Sequence, residues 1–267
     1  MTAMPNQGHS GRGVKGRFVT VLLCLAALAG CATPPTDPAA RKAFEANNDP
    51  LEPTNREIFS VNLAVDDAVL KPVAKGYRDA VPGEVRLRIR NVLDNAKLPV
   101  VFANQVLEAR IDASLRTFWR FTFNSTIGLG GALDAATDLG LPRLQGDFGE
   151  TLYSWGIPAG PYLILPILGP SNPRDAVGMG VDSYADPLGI ISANSGFSWL
   201  NYARAGVDGL DQRAEAIDAL DELQRNSIDF YAQLRSIVRQ RRAAQLGDTA
   251  PNGADFYDDP GAAAPAP

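Results

Sequence analysis

Cys31 is the side chain of this protein whose neighbours prescribe a reaction on it. In Leu28-Ala29-Gly30-Cys31 it follows two small residues of the kind a signal peptidase needs. Ahead of them lie an apolar run over residues 18–28 and the basic residues Arg12, Lys15 and Arg17. The run is too short to span a bilayer. A cysteine at the cleavage point, in place of an Ala-x-Ala ending, implies thioether lipidation of the sulfur and acylation of the new amine, an N-acyl diacylglycerol group on Cys31. Cleavage there removes Cys24 and also His9, the sole histidine of the sequence. The remainder has no imidazole, and its one thiol is lipidated. Disulfides, thiolate catalysis, Cys/His zinc sites and a Ser-His-Asp triad are thereby excluded.

Carboxylates are the chemistry left over. Asp147 with Glu150, or Asp175 with Asp182, could form the acid and base of a glycan-cleaving site; solvated or capping carboxylates are the simpler and preferred reading of the same residues. Gly128-Leu129-Gly130-Gly131 has the glycine density of a phosphate cradle. No strand signal precedes it and no Gly-Lys-Ser/Thr follows, so a flexible turn is the simpler reading. Gly169-Pro170-Ser171-Asn172-Pro173 lacks the second glycine of a nucleophile elbow. Arg174-Asp175 fits an ion pair or cap better than a lipid contact. No catalytic residue, metal or cofactor beyond the lipid on Cys31 is expected. Loss of the leader leaves 22 Lys+Arg against 30 Asp+Glu, a formal charge of −8, which argues against nucleic acid as a partner.

Residues 1–30 read as a leader that is removed, 31–46 as a lipid-anchored tether, 47–246 as a single helical domain, and 247–267 as a disordered acidic and Ala/Pro-rich tail. Helical spacing runs through Ile58, Val61, Leu63, Val65, Val69 and Leu70 until Pro72 breaks it. Pro82 suits the first turn of a second helix, with Val85, Ile89, Val92 and Leu93 facing one way and Arg86, Arg88 and Arg90 the other, before Pro99 punctuates it. A third helix over 100–118 carries Val101, Val106, Leu107, Ile111 and Leu115. It leads into Phe118, Trp119, Phe121 and Phe123, which fit a core or, beside Arg116 and Arg120, a membrane interface. Backbone freedom concentrates at 124–170, where glycines are interleaved with apolar residues. Residues 158–170 are almost wholly apolar, yet their prolines forbid a long helix or a central strand, so they must be buried in protein or in lipid. From 210 to 245 a long helical pattern returns, with a kink or recap at Asn226-Ser227. The acids of its first half and the arginines of its last turns match the helix dipole, and the basic end could also touch anionic headgroups.

The leader resembles those of bacterial lipoproteins. Three acyl chains exceed what stable anchoring requires, and Ala32, not Asp, after the cysteine resembles lipoproteins delivered to the periplasmic face of the outer membrane. The domain itself carries Asn48-Asp49-Pro50-Leu51-Glu52-Pro53-Thr54-Asn55-Arg56. Further on come Arg120-Phe121-Thr122-Phe123-Asn124-Ser125-Thr126-Ile127-Gly128-Leu129-Gly130-Gly131, Phe148-Gly149-Glu150-Thr151-Leu152, Trp155-Gly156, Gly160-Pro161-Tyr162, Leu165-Pro166, Gly169-Pro170-Ser171 and Arg174-Asp175. In that order these pieces resemble the MlaA/VacJ family over residues 48–242.

The resemblance implies an all-α fold, a ring of amphipathic helices around a central channel with an irregular Gly/Pro-rich hairpin. It implies a lipid conduit in the outer membrane, bound to trimeric porins, that hands phospholipids to a periplasmic MlaC-like carrier and so maintains lipid asymmetry. The channel-lining candidates are Asn124, Ser125, Thr126 and Asp134 around the turn at Gly128, Gly130 and Gly131, residues that serve equally as caps and turn formers. A hairpin over 138–160, with Gly149, Gly156 and Gly160 among its hinges, is expected beside the channel mouth. A structural lipoprotein that binds porin or peptidoglycan without moving lipid is the other class left open.

Overall fold

The computed structural model describes residues 47–247, together with 36, 37 and 41. The leader, Cys31, most of the tether and the tail beyond Gly247 lie outside the described residues. The described part is mostly helical.

Helix α1 (Glu52–Val65) starts with Pro53 in its first turn and an i,i+4 pair between Glu52 and Arg56 at 2.8 Å. It does not stop ahead of Pro72. A π-helical turn, Asp66–Leu70, carries the chain into α2 (Lys71–Ala80), and Pro72 falls in the first turn of α2, where its missing N–H costs little. Val61, Val65, Val69 and Val73 form an outward stripe across this rod, 61, 40, 54 and 51 % exposed. The inward face of α2 packs Ala74 and Tyr77 on Leu210, Ala214 and Ile217 of α9 (Trp199–Asn226).

Ion pairs flank that seam: Lys71–Asp221 at 2.6 Å, Arg78–Asp218 at 3.0 Å and Arg213–Asp66 at 2.7 Å. Helix α3 (Gly83–Leu107) adds Arg86–Glu215 at 2.9 Å and Arg90–Asp211 at 2.8 Å. The acids of α9 are thus partners for bases on α2 and α3, a role beyond the helix dipole.

Pro82 is the N-cap of α3, and Pro99 lies inside that helix without ending it. Packing along α4 (Ile111–Thr126) outweighs the one lost backbone hydrogen bond. The expected single helix over 100–118 is two helices, because the chain reverses through Ala109 at φ +57°. Two short helices follow, α5 (Ala135–Asp138) and α6 (Phe148–Ser154).

The expected hairpin over 138–160 is not what forms there: a turn and a run without regular structure join α5 to α6, which Asp147 caps by accepting from the Glu150 N–H at 2.9 Å. The hairpin lies in the apolar Pro-rich segment instead. Strands β1 (Leu163–Leu165) and β2 (Gly169–Ser171) pair antiparallel, Leu163 opposite Ser171. Two prolines and a two-stranded ladder coexist because both strands are short edges.

Helix α7 (Pro173–Ala185) packs on α6 at a glycine contact: a Cβ on Gly178 would lie 2.4 Å from the Gly149 nitrogen. Helix α8 (Pro187–Asn194) leads to α9, which ends at Asn226, and α10 (Phe230–Gln245) restarts after Asp229 caps it. Helix α10 returns to the beginning of the domain, where Tyr231 packs with Tyr162, Ile164, Ile58 and Phe59.

Candidate functional site

Polar residues fill the inside of this fold. The buried set includes Asn55, Asn91, Asn95, Asn104, Gln105, Thr117, Arg120 and Asn124, while Leu107, Ile111, Leu115, Phe118, Trp119, Ile127 and Leu129 are exposed. Ordinary soluble domains segregate the other way. The aromatic run of α4 shows the inversion within one helix. Phe118 and Trp119 are exposed and meet edge-on at 5.4 Å, and half-buried Phe123 stacks on Trp119 at 5.7 Å, whereas Arg120 between them is 3 % exposed and turned inward. Arg120 is therefore no headgroup-level base. Among the described residues, no helix is long and apolar enough to cross a membrane.

Between these helices lies a half-open cavity of about 880 Å³, lined by polar side chains together with apolar ones such as Leu98, Val101 and Ile190. One wall is Asn91, Asp94 and Asn95 of α3 with Asn124 of α4 and Asp134; the other is Asp182, Asp186, Asn201 and Arg204 of α7 to α9. Asp134 organises the first wall. It caps α5, accepts from Arg120 at 2.8 Å, from Asn124 at 3.1 Å and from Arg143 at 3.0 Å. Arg143 also donates to Asn91 at 2.9 Å. Burial alone would raise the Asp134 pKa, but hydrogen bonds from Thr137 and Asn124 and the charge of Arg120 outweigh it and hold it at about 2. Asp182, accepting from Asn104 at 2.9 Å and from the Phe148 N–H at 2.9 Å, is shifted upward because burial dominates its donors.

The glycine turn braces this wall. Of the channel candidates, Asn124 and Asp134 face the cavity, and Ser125 accepts from Asn95 at 3.0 Å. Thr126 is exposed and bonds back to the Thr122 carbonyl at 2.7 Å, away from the cavity lining. Gly128 is buried against backbone: an added Cβ would meet the Leu133 oxygen at 2.4 Å. Gly131, at φ +96°, lies on Asn95, and Gly130 has open space around it.

The other candidates are elsewhere. Gly149 sits under Asp175 and Arg242, Gly160 against the Pro173 ring, and Gly156 in the open.

The carboxylate pairs are taken up by structure. Arg242 holds both Asp147 and Asp175, at 2.7 and 3.0 Å, and these contacts outweigh burial in raising its own pKa. Glu150 pairs with Arg110 at 2.7 Å, and burial together with Glu108 shifts it upward. Arg174-Asp175 is an ion pair at 3.0 Å, as one of the two readings had it. Among the described residues, no group of three or more His, Cys, Asp or Glu side chains is placed to hold a metal.

Sequence reasoning missed the clasp formed by the opening motif. Asp49, 1 % exposed, accepts from Asn55 at 2.8 Å, from the Tyr231 hydroxyl at 2.5 Å and from Arg235 at 2.6 Å. Asn55 reaches on to β1, donating to the Tyr162 carbonyl at 3.1 Å and accepting from the Ile164 N–H at 2.9 Å. One turn pair later, Asn62 repeats the contact with the Leu165 carbonyl at 3.0 Å and the Ile167 N–H at 2.9 Å. The tip so held is apolar: Ile167 and Leu168 are 76 and 69 % exposed, and Ile167 adopts φ +68°, which a β-branched residue rarely takes. The signal available in sequence was an asparagine at each of two positions seven apart on one helix face.

Comparison with known proteins accords with this arrangement. The profile of the family described as MlaA lipoprotein matches residues 47–245. The chain is 32 % identical to the "Intermembrane phospholipid transport system lipoprotein MlaA" of Haemophilus influenzae over 240 residues, 86 % of this chain and 90 % of that protein. It is also 32 % identical to the protein of the same name from Escherichia coli K12, covering 85 % and 88 %. An uncharacterized protein of Rickettsia felis is 33 % identical over 74 % of this chain and 78 % of its own. A solved structure described as "Structural basis for maintenance of bacterial outer membrane lipid asymmetry" superposes with a TM-score of 0.66 at 33 % identity, covering 74 % of this chain and 98 % of that one. With a family profile spanning the whole helical part and relatives aligned over most of their length, the chain belongs to the MlaA lipoprotein family.

Proposed function

We propose that this protein is a lipid conduit, fixed through Cys31 to the periplasmic side of the outer membrane, that removes mislocalised phospholipids from the outer leaflet and passes them to a periplasmic MlaC-like carrier. The observation that carries the reading is the inversion of polarity around the cavity of about 880 Å³. A phospholipid in transit needs a polar lane for its headgroup and an apolar exterior for its tails. Asn91, Asn95, Asn124 and Asp134 supply the lane, and the exposed apolar faces of α1 to α4 supply a surface at home among acyl chains. In this reading the helices form a ring around the channel and trimeric porins hold it in the membrane. The names of the relatives above support the phospholipid assignment. No bond is made or broken, so the protein is assigned no catalytic step.

The test is the phospholipid content of the outer leaflet, read with an outer-leaflet-specific probe in cells lacking the gene. Wild-type protein should restore asymmetry; Cys31→Ala should not, and neither should Asn91→Leu at normal abundance. An unchanged leaflet in the deletion strain sinks the conduit and leaves a structural lipoprotein that binds porin or peptidoglycan.

A further inference from the structure

A second cavity, of about 700 Å³, shares one lining residue with the first, Asp147. Four arginines line it, Arg174, Arg239, Arg241 and Arg242, against two carboxylates, Asp147 and Asp175. Arg242 binds both of those acids, through two hydrogen bonds to each. Arg239 donates to a neutral acceptor, the Asn47 carbonyl. Arginines outnumber carboxylates along this lining, and Asn172, the cap of the 13-residue α7, opens on the same space.

Two buried side chains of this wall are incomplete. Tyr162 and Arg174 are 5 and 4 % exposed, and the Tyr162 hydroxyl and Nη2 of Arg174 have no hydrogen-bond partner. Both are firmly placed. The Tyr162 ring meets Tyr231 edge-on with centroids 6.2 Å apart; Arg174 donates through Nε to Asp175 at 3.0 Å and lies over the Tyr153 ring at 5.2 Å. Burial raises the Tyr162 pKa and keeps its hydroxyl a donor. Buried donors left without acceptors are rare, because the lost hydration is not returned. An oxyanion with several acceptor oxygens and no donor of its own suits this wall, and a phosphate suits it best, since guanidinium and hydroxyl both donate to phosphate oxygens.

The geometry points to the second cavity as a binding site for a phosphate group, with Tyr162 and Arg174 completing their hydrogen bonds on its oxygens. The source of that phosphate rests on the conduit reading: it is a phospholipid headgroup that has moved past Asp147, with free phosphate as the other source.

The test titrates the purified full-length lipidated protein, in a sugar-headgroup detergent, with inorganic phosphate and with dihexanoyl phosphatidylglycerol, dihexanoylglycerol being the control without phosphate. Both phosphate-bearing probes should bind and compete, and the control should not. Tyr162→Phe deletes an unpartnered hydroxyl and keeps the ring, so the melting temperature should hold or rise while phosphate affinity falls about tenfold. Arg174→Lys should weaken binding to a similar extent. Phosphate that binds but is not displaced by the lipid retains the site and removes its lipid source. Equal affinity of Tyr162→Phe and wild type, or no saturable binding of either probe, overturns the site. The leaflet assay with Asn91→Leu is independent of this titration, so failure of the conduit and failure of the phosphate site are read separately.

Discussion

Gly131 lies against Asn95, and a Cβ on the glycine would sit 2.5 Å from that of the asparagine. Gly130, next to it, has nothing within 4 Å. Both have positive φ, so the two positions separate strain from collision. Gly130→Ala should cost about 1 kcal/mol for its backbone alone, and Gly131→Ala about 3 kcal/mol, with displacement of the cavity wall. Thermal melts and the leaflet probe would check this, and a larger effect at Gly130 would contradict it.

Asp134 links this wall to pH. Its folded pKa of about 2 lies below the ordinary 3.8, so its contribution is complete above pH 4 and is lost as pH falls through 2. The shift corresponds to about 2 kcal/mol at neutral pH. Asp134→Asn should lose that at pH 7 and approach the wild type near pH 2, in urea melts at a series of pH values. A difference independent of pH would refute the linkage. Arg120→Met should also destabilise at pH 7, by about 2 kcal/mol, because Asp134 loses its buried cation and keeps Arg143 and its neutral donors.

The two asparagines of α1 should differ in what they hold. Asn55 is 2 % exposed and serves Asp49 as well as β1, so Asn55→Ala is expected to lower global stability by about 2–3 kcal/mol. Asn62→Ala should chiefly release the tip at Ile167. Hydrogen exchange resolves the two: faster exchange at 163–171 alone for Asn62→Ala, and across the clasp for Asn55→Ala.

The outer stripe of Val61, Val65, Val69 and Val73 bears no internal load. Paired Val61→Ser and Val69→Ser changes in a Cys31→Ala background should reduce partition to phospholipid vesicles by about tenfold or more, with little change in the melting temperature in detergent. Unaltered partition would show that this face does not meet lipid.

Periodicity made the helices legible, and the break at Asn226-Ser227 with them, because i,i+3 and i,i+4 spacing survives whichever face is buried. Which face is buried was not legible. Val106, Leu107, Ile111 and Leu115 look like a core stripe, yet they are exposed, while Asn104 and Gln105 are buried. Alternation of apolar and polar residues has no sign until the solvent is known.

Asp147 and Glu150 carried a different lesson. In sequence they read as an acid and base pair or as capping carboxylates, and the three-residue spacing is that of a helix cap, which is the use made of it here. Pro72 and Pro99 marked ends that tertiary packing and a π-turn overrode. Asn124 and Asp134 could be picked out because polar residues beside a glycine turn are few. Asn91 and Asn95 were hidden within a helix that looked ordinary.

The joint between α1 and β1 has a metrical property. From Asn55 to Asn62 is seven residues of helix, a rise of about 10.5 Å. From Tyr162 to Leu165 is three residues of extended chain, about 10 Å, and from Ile164 to Ile167 the chain runs out of β1 into the turn. Helix and strand have different rises per residue, yet at this interval the two rulers coincide, and each asparagine amide meets the strand as a neighbouring strand would. The match is a vernier with one reading. A single residue inserted between the asparagines would rotate the second amide by about 100° off the strand, so the hairpin tip would lose its brace and the continuous rod beyond it would be turned by the same angle against α9.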